Sequence, residues 1–319
     1  MIMQKTDKLF EIIKETLDQS GNSLSVSMLC EQAGVSRSGY YRWIETAPER
    51  EMKEAQDKAD FDLILEAFKF RGYSKGARGI YMRLLHLPEP VVMNIKKIRR
   101  LMRKYNLFCP VRKANPYRRM MAAMRTDCVA DNILNRQFES LGPRMALLTD
   151  ITYIPYLHGG VRVFCYLSVI IDACTKQVLA YRLSESLEID FVLDTVKDLI
   201  EKHAHELKTE TLLHSDQGSH YTSHRFIDLL NDVEITRSMS RRGCCWDNAP
   251  QESFFGHMKD EIDISGCRIF QEVKDVIDDW IDYYNKDRYV WDLAKLSPDE
   301  YYQYKLTGKY PLTKIPRAK

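Results

Sequence analysis

Three acidic residues sit in settings that could support phosphodiester chemistry. Asp150 closes the run Leu147-Leu148-Thr149 and is followed by Ile151-Thr152. Asp216 lies within His214-Ser215-Asp216-Gln217-Gly218, and Glu252 within Asp247-Asn248-Ala249-Pro250-Gln251-Glu252-Ser253-Phe254-Phe255. Three carboxylates gathered by a fold form an all-oxygen donor set suited to a hard cation such as magnesium. Two such ions about 4 Å apart would activate an attacking water or hydroxyl and stabilise a leaving 3′-oxygen. A chain with 45 Asp and Glu offers many such triples by chance, so the local contexts, rather than the spacing, carry the weight.

The surroundings of Glu252 read as a helix start. Asp247 or Asn248 can cap it and Pro250 fits its first turn. Seven positions on, Lys259 returns to within about 20° of Glu252 on an ideal helix, while Phe254, Met258 and Ile262 form a separate stripe toward a core. Such a helix presents a metal-binding carboxylate and a DNA-binding ammonium together, although an ordinary exposed face gives the same pattern. His214, Gln217 and His220 flank the second carboxylate, where positioning substrate and shoring up the site are both open to them. Arg241-Arg242-Gly243-Cys244-Cys245-Trp246 reads as a loop whose two cations and aromatic could hold a DNA end, or whose Trp246 simply packs.

Elements must bring these groups together. Met145–Ile154, Val161–Asp172 and Gln177–Arg182 are apolar, β-rich runs separated by turn residues, which predicts an antiparallel meander. Ile189, Val192, Leu193, Val196, Leu199 and Ile200 mark an amphipathic helix. A short strand over Thr211–His214 then leads to Asp216, followed by a helix with Phe226, Leu229 and Leu230 and a strand near Ile235–Ser238. This is the order of a ribonuclease H-like α/β fold: a mixed five-stranded sheet flanked by helices. Asp150 then belongs to the central strand, Asp216 to the end of its neighbour and Glu252 to the helix after the fifth strand. Asp172 falls in a strand-to-strand turn, where a structural role is expected. Phe270, Val273, Val276, Ile277, Trp280, Ile281 and Tyr284 predict a helix covering the sheet, and Ser297-Pro298-Asp299-Glu300 a capping box.

The N-terminal third is helical. Leu9, Ile12, Ile13 and Leu17 recur at helical spacing, and Ser25 to Trp43 reads as a helix-turn-helix with Gly34 at the turn, Val35 at the corner and Ser36 capping. Its second helix would offer Arg37, Ser38, Tyr41 and Arg42 to DNA. Pro48–Lys58 reads as a charged connector. A second helix-turn-helix-like module ends in a helix that buries Ile95, Ile98, Leu101 and Met102 and leaves Lys96, Lys97, Arg99, Arg100, Arg103 and Lys104 around its other face. Lys96 to Arg125, which includes Arg112, Lys113, Arg118 and Arg119, contains no Asp or Glu, and phosphate binding explains that bias best. The expected units are 1–48, 58–115, a basic linker 116–143, a catalytic core 144–287, and a C-terminal helix with a basic tail 288–319.

Composition excludes other classes. At 319 residues, 45% hydrophobic and 29% charged, the chain suits a globular protein of two or three domains. No apolar run approaches the roughly 18 residues of a membrane span, and no secretion signal opens the chain. The eight cysteines are scattered without Cys-x-x-Cys pairs, which points to free thiols in a reducing cytoplasm and against structural zinc; His203 and His205 are expected to face solvent.

Thr149-Asp150-Ile151-Thr152-Tyr153-Ile154, His214 through Tyr221, Cys245-Trp246-Asp247-Asn248-Ala249 and Glu252-Ser253-Phe254-Phe255 with Lys259 resemble the second-frame transposases of the insertion-sequence-three family, within the retroviral-integrase-like DDE superfamily. Tyr283-Tyr284-Asn285-Lys286-Asp287-Arg288 and Leu296-Ser297-Pro298 extend the resemblance, which spans roughly Phe61 to Tyr302. It implies Asp150, Asp216 and Glu252 as the catalytic triad and metal ligands, with Mg²⁺ as the ion and Mn²⁺ as a substitute. The implied reaction is nicking at element ends and transfer of the 3′-hydroxyl to target DNA. Implied partners are double-stranded DNA (terminal inverted repeats and target), further copies of the chain, and a protein from an upstream frame. The implied place is the bacterial cytoplasm and nucleoid. The chain departs from the family pattern at Tyr289-Val290-Trp291, where a histidine is common two residues after the arginine, and at Pro250-Gln251, which replaces the small residues common before the glutamate and is expected to change little. Two other readings compete: a DNA-binding regulator with an inactive integrase-like core, which intact Asp150, Asp216, Glu252 and Lys259 argue against, and a plain ribonuclease H-type hydrolase.

Overall fold

A computed structural model describes residues 5–110, 134, 141–240 and 248–312. Three helices come first: α1 (Lys5–Leu17), α2 (Val26–Ala33) and α3 (Arg37–Glu45). Phe10 and Ile13 from α1 meet Cys30 and Tyr40 in a small core of their own. The turn between α2 and α3 forms as expected. Gly34 adopts φ 67°, a left-handed conformation that glycine enters without steric cost, and the Ser36 hydroxyl accepts from the Gly39 N–H at 3.0 Å.

The expected connector at Pro48–Lys58 is instead part of one 23-residue helix, α4 (Ala47–Lys69), with Pro48 in the first turn where its missing N–H costs nothing. Its C-terminal half packs with α5 (Ala77–Leu85) and α6 (Ile95–Lys104) around Ile64, Ile80, Leu84, Ile98 and Leu101, all buried. Tyr289 and Leu312, from the far end of the chain, pack against the same core. Tyr289 and Leu312 thus bring this part of the chain against the helical module.

The sheet is five-stranded in the order β3-β2-β1-β4-β5, from β1 (Ala146–His158), β2 (Val161–Asp172), β3 (Val178–Ser184), β4 (Leu212–Ser215) and β5 (Thr236–Met239). The first three form the antiparallel meander, and β4 and β5 are parallel to β1. One face of the sheet is covered by α7 (Asp190–His203) and α9 (His224–Asp232), after the single turn α8 (Ser219–Thr222). The other is covered by α10 (Ala249–Glu261) and α11 (Phe270–Lys286), with Phe254, Met258, Ile277 and Trp280 buried against it. Helix α12 (Pro298–Thr307) begins with the expected capping box.

β1 runs four residues past the expected end at Ile154, through Pro155, which pairs with Phe164 of β2. A proline cannot donate to a second neighbour, and here it need not. β4 pairs with β1 only over Ala146–Leu148, so beyond that β1 has β2 alone. The described cysteines 30, 109, 165 and 267 are free thiols. Among the described residues no helix is long and apolar enough to cross a membrane.

Candidate active site

The parallel register of β1 and β4 decides where the first two carboxylates stand. Leu148 pairs with His214, and two residues further along each strand come Asp150 and Asp216. Each is fixed by a local backbone donor. The Ile151 N–H donates to Asp150 Oδ1 at 2.7 Å, and the Gly218 N–H to Asp216 Oδ1 at 2.9 Å. A Cβ at Gly218 would lie 2.9 Å from Asp216 Oδ1, so this turn has no room for a side chain there. The strand below Asp216 is anchored by His214, buried between the Ser238 and Ser240 hydroxyls at 2.9 Å each. His220 contacts the Leu187 carbonyl at 2.7 Å, and Gln217 donates to the Ser240 carbonyl. All three flanking side chains thus contact the protein itself.

Glu252 reaches the same place through its neighbour. Gln251 is wholly buried and donates to the Val169 carbonyl at 3.3 Å, and Val169 is the residue paired across from Asp150. This tether sets the first turn of α10 onto the sheet beside Asp150. Against the expectation that Pro250-Gln251 changes little, the amide at 251 ties the helix that carries Glu252 to the central strands. A sequence signal for this exists, since Gln251 precedes Phe254, Phe255 and Met258 at spacings of three, four and seven on the buried stripe. Asn248 occupies the N-cap position without a side-chain cap, its buried Oδ1 having no partner among the described residues.

Asp150 stands within reach of the charges of the other three groups. Burial pushes the Asp150 carboxyl up to about 7, and the charges of Asp216 and Glu252 push the same way; the Ile151 N–H and Lys259 oppose them. Burial lowers the Lys259 ammonium, and Asp150 pulls it back. Glu252 and Lys259 are both exposed on α10, away from the stripe that includes Phe254 and Met258. Among the described residues no three His, Cys, Asp or Glu side chains are grouped so that they could hold a metal ion. The three acidic side chains form an all-oxygen donor set. That chemistry fits a hard divalent cation.

Asp172, by contrast, is structural. It is fully buried and accepts from the Arg144 N–H and guanidinium at 2.8 and 2.9 Å, and from the Cys174 and Thr175 N–H groups.

The expected DNA contacts separate into groups. On α3, Arg37, Ser38, Tyr41 and Arg42 are exposed. On α6, Lys96, Arg99 and Arg103 are exposed, but Lys97, Arg100 and Lys104 pair with α4. Arg100 forms two bonds to Asp57, at 2.6 and 2.7 Å, and Lys104 bridges Asp57 and Glu54; Lys97 pairs with Asp60. The Arg100 hydrogen bonds hold Asp57 well below the usual carboxylate range. Acids absent from the stretch around α6 are supplied by α4, so half of the helix's positive charge is already neutralised. Arg112, Lys113, Arg118, Arg119, Arg241 and Arg242 lie outside the described residues.

Known families match most of the chain. An integrase core domain family matches residues 123–245, a second integrase core family residues 233–289, and an HTH-like domain family residues 55–115. InsK of insertion sequence element IS150 from Escherichia coli K12 is 34% identical over 213 residues, covering 66% of this chain and 71% of that protein. The transposase InsF of insertion sequence IS3A, from the same organism, is 26% identical over 281 residues, covering 87% of this chain and 93% of that one. Among solved structures, a chain of the simian T-cell lymphotropic virus intasome overlays with a TM-score of 0.41 at 14% identity, over 71% of each chain.

Proposed function

Because the chain belongs to the insertion-sequence transposases of the insertion-sequence-three family, we propose that Asp150, Asp216 and Glu252 are its catalytic, metal-binding triad. The geometry that carries this reading is that Asp150 and Asp216 stand two residues beyond the paired Leu148 and His214 on neighbouring strands, while Gln251, the residue before Glu252, is tied to Val169 opposite Asp150. Magnesium, with manganese as a substitute, would supply an activated oxygen nucleophile and stabilisation of the leaving 3′-oxygen. The chain's own residues prepare that chemistry. The Ile151 and Gly218 N–H groups orient the two aspartates, Gln251 fixes the start of α10, and Lys259 offers a cation to a phosphate beside the triad. First a water and then the freed 3′-hydroxyl attacks phosphorus, and in each step one P–O bond forms as another breaks. Handling two element ends requires more than one copy of the chain at the junction, acting in the cytoplasm on nucleoid DNA.

The test uses a DNA fragment carrying an element end, the full chain, and either Mg²⁺, Mn²⁺ or EDTA. Nicks at the 3′ end with both metals and none in EDTA support the reading. Nicking in EDTA would sink the metal assignment. DNA binding without nicks, persisting after addition of any upstream-frame protein, would favour the regulator.

For DNA binding we assign the exposed cations Arg37 and Arg42 of α3 and Lys96, Arg99 and Arg103 of α6, together with Arg112, Lys113, Arg118, Arg119, Arg241 and Arg242. Lys97, Arg100 and Lys104 contribute less to phosphate binding because α4 holds them. Alanine at Lys96, Arg99 or Arg103 is expected to flatten the dependence of log affinity on log salt by about 0.9 for each phosphate no longer neutralised. Alanine at Arg100 leaves that slope nearly unchanged and lowers the melting temperature instead. Equal slope changes at both sets would show that the ion pairs open on DNA.

A further inference from the structure

The second helical module grips the catalytic unit at one arginine. Between α4 and α5 the chain makes a single turn at Phe70–Gly72, in which Arg71 takes φ 55° and ψ 22°. Left-handed backbone at a non-glycine residue is uncommon and persists where surrounding contacts enforce it. Here three aspartates supply them. The Arg71 guanidinium donates to Asp279, Asp282 and Asp287, each at 2.9 Å, all in or just after the C-terminal half of α11. Lys75 closes the turn from inside, its ammonium donating to the Phe70 and Tyr73 carbonyls at 2.6 Å each. Tyr73 stacks on Tyr283 with centroids 4.4 Å apart and donates to Asp279.

The grip continues to the catalytic helix. The Asp287 and Arg288 N–H groups both donate to the Tyr283 carbonyl at 2.8 Å, so the residue Arg71 holds and Arg288 are set by one helix end. Arg288 then forms a fork on Glu261, with contacts of 2.9 to 3.1 Å, and Trp280 donates to the same carboxylate at 3.1 Å. Glu261 is the last residue of α10. The helix that bears Glu252 and Lys259 is therefore tied at its start by Gln251 to β2 and at its end by Glu261 to Arg288.

We propose that Arg71 is a positioning residue: by holding the end of α11 it sets, through Arg288 and Glu261, the pose in which α10 presents Glu252 and Lys259 to the site. The DNA-binding module and the catalytic helix are thereby one mechanical unit. Arginine is required because a single planar fork serves three carboxylates, which a lysine point charge cannot do. The inference rests on the assignment of Glu252 to the catalytic site, but its central prediction is independent of activity.

The test measures amide hydrogen exchange along α10 in the full chain, with Lys53→Ala as an exposed control. Two variants are compared: Arg71→Lys, which keeps the charge, and Arg71→Gly, which keeps the left-handed turn without strain and removes only the side chain. Amides from Glu252 to Glu261 exchange several-fold faster in both, and not in the control. Unchanged exchange in both overturns the proposal, whatever the activity of the parent chain. Faster exchange in a parent chain that makes no nicks keeps the positioning role and removes the transposase reading instead. In an active chain, the single-turnover nicking rate at saturating DNA falls about tenfold or more in Arg71→Gly while Kd stays within about twofold. Combining Arg71→Gly with Arg288→Lys costs no more than the worse single change, since both act along one path. Losses that multiply, or lost affinity with an intact rate, overturn it.

Discussion

Asp150→Asn and Glu252→Gln each lower DNA nicking and joining by at least about 1,000-fold, while affinity for an element end stays within about twofold. Both substitutions preserve shape. The asparagine carbonyl still accepts the Ile151 N–H, and glutamine keeps the helix propensity of α10. What is lost is a negative oxygen able to hold a hard cation. The double variant is expected to be no worse than the worse single, because groups that act as a unit do not contribute independently. Single-turnover cleavage of a labelled element end measures the rate, and fluorescence anisotropy the affinity. Residual activity within about tenfold of the parent in either variant would remove that residue from the triad.

Asp172→Ala destabilises the protein by about 3–5 kcal/mol, because it strips a buried arginine of its principal partner. Asp172 and Arg144 are both almost completely buried, at 0% and 2% exposure, and the guanidinium also donates to Glu206 and Gln177 and lies 3.9 Å from the Tyr302 ring centroid. The carboxylate in addition ends the turn after β2 by accepting from two further N–H groups. Replacing Asp172 and Arg144 together with apolar residues costs less than Asp172→Ala, since no charge is then left unpaired. Urea titration at neutral pH reads the difference. A variant that keeps its urea midpoint but loses metal-dependent cleavage would make Asp172 a fourth ligand, as a hydrolase of the ribonuclease H type would use.

Much of the architecture is legible in local patterns. Apolar runs mark β1 to β3, the 3.6-residue stripe marks α7 and α11, and Gly34 with Ser36 marks a tight helical turn, because burial preferences and backbone sterics act within a few residues. The strand beyond Ile154 is hidden by Pro155, which is tolerated only because β4 stops pairing at Leu148. The free charge on α6 is overstated by its own sequence for a related reason. Its acids belong to α4, 43 residues from Arg100, and no period or composition announces that the two helices lie side by side.

The same division holds at the site. Residue types and their immediate neighbours single out the three carboxylates as candidates and put Glu252 and Lys259 on one helix. They say nothing of how that helix is held. Gln251 tethers it opposite Asp150, Arg288 clamps its other end through Glu261, and Arg71 joins aspartates 208 to 216 residues away, and each of these pairings exists only in the folded chain. A side chain's preference for burial or exposure is written in its own chemistry and spacing. Its partner is chosen by which element the fold lays across it, and that choice depends on the whole chain at once.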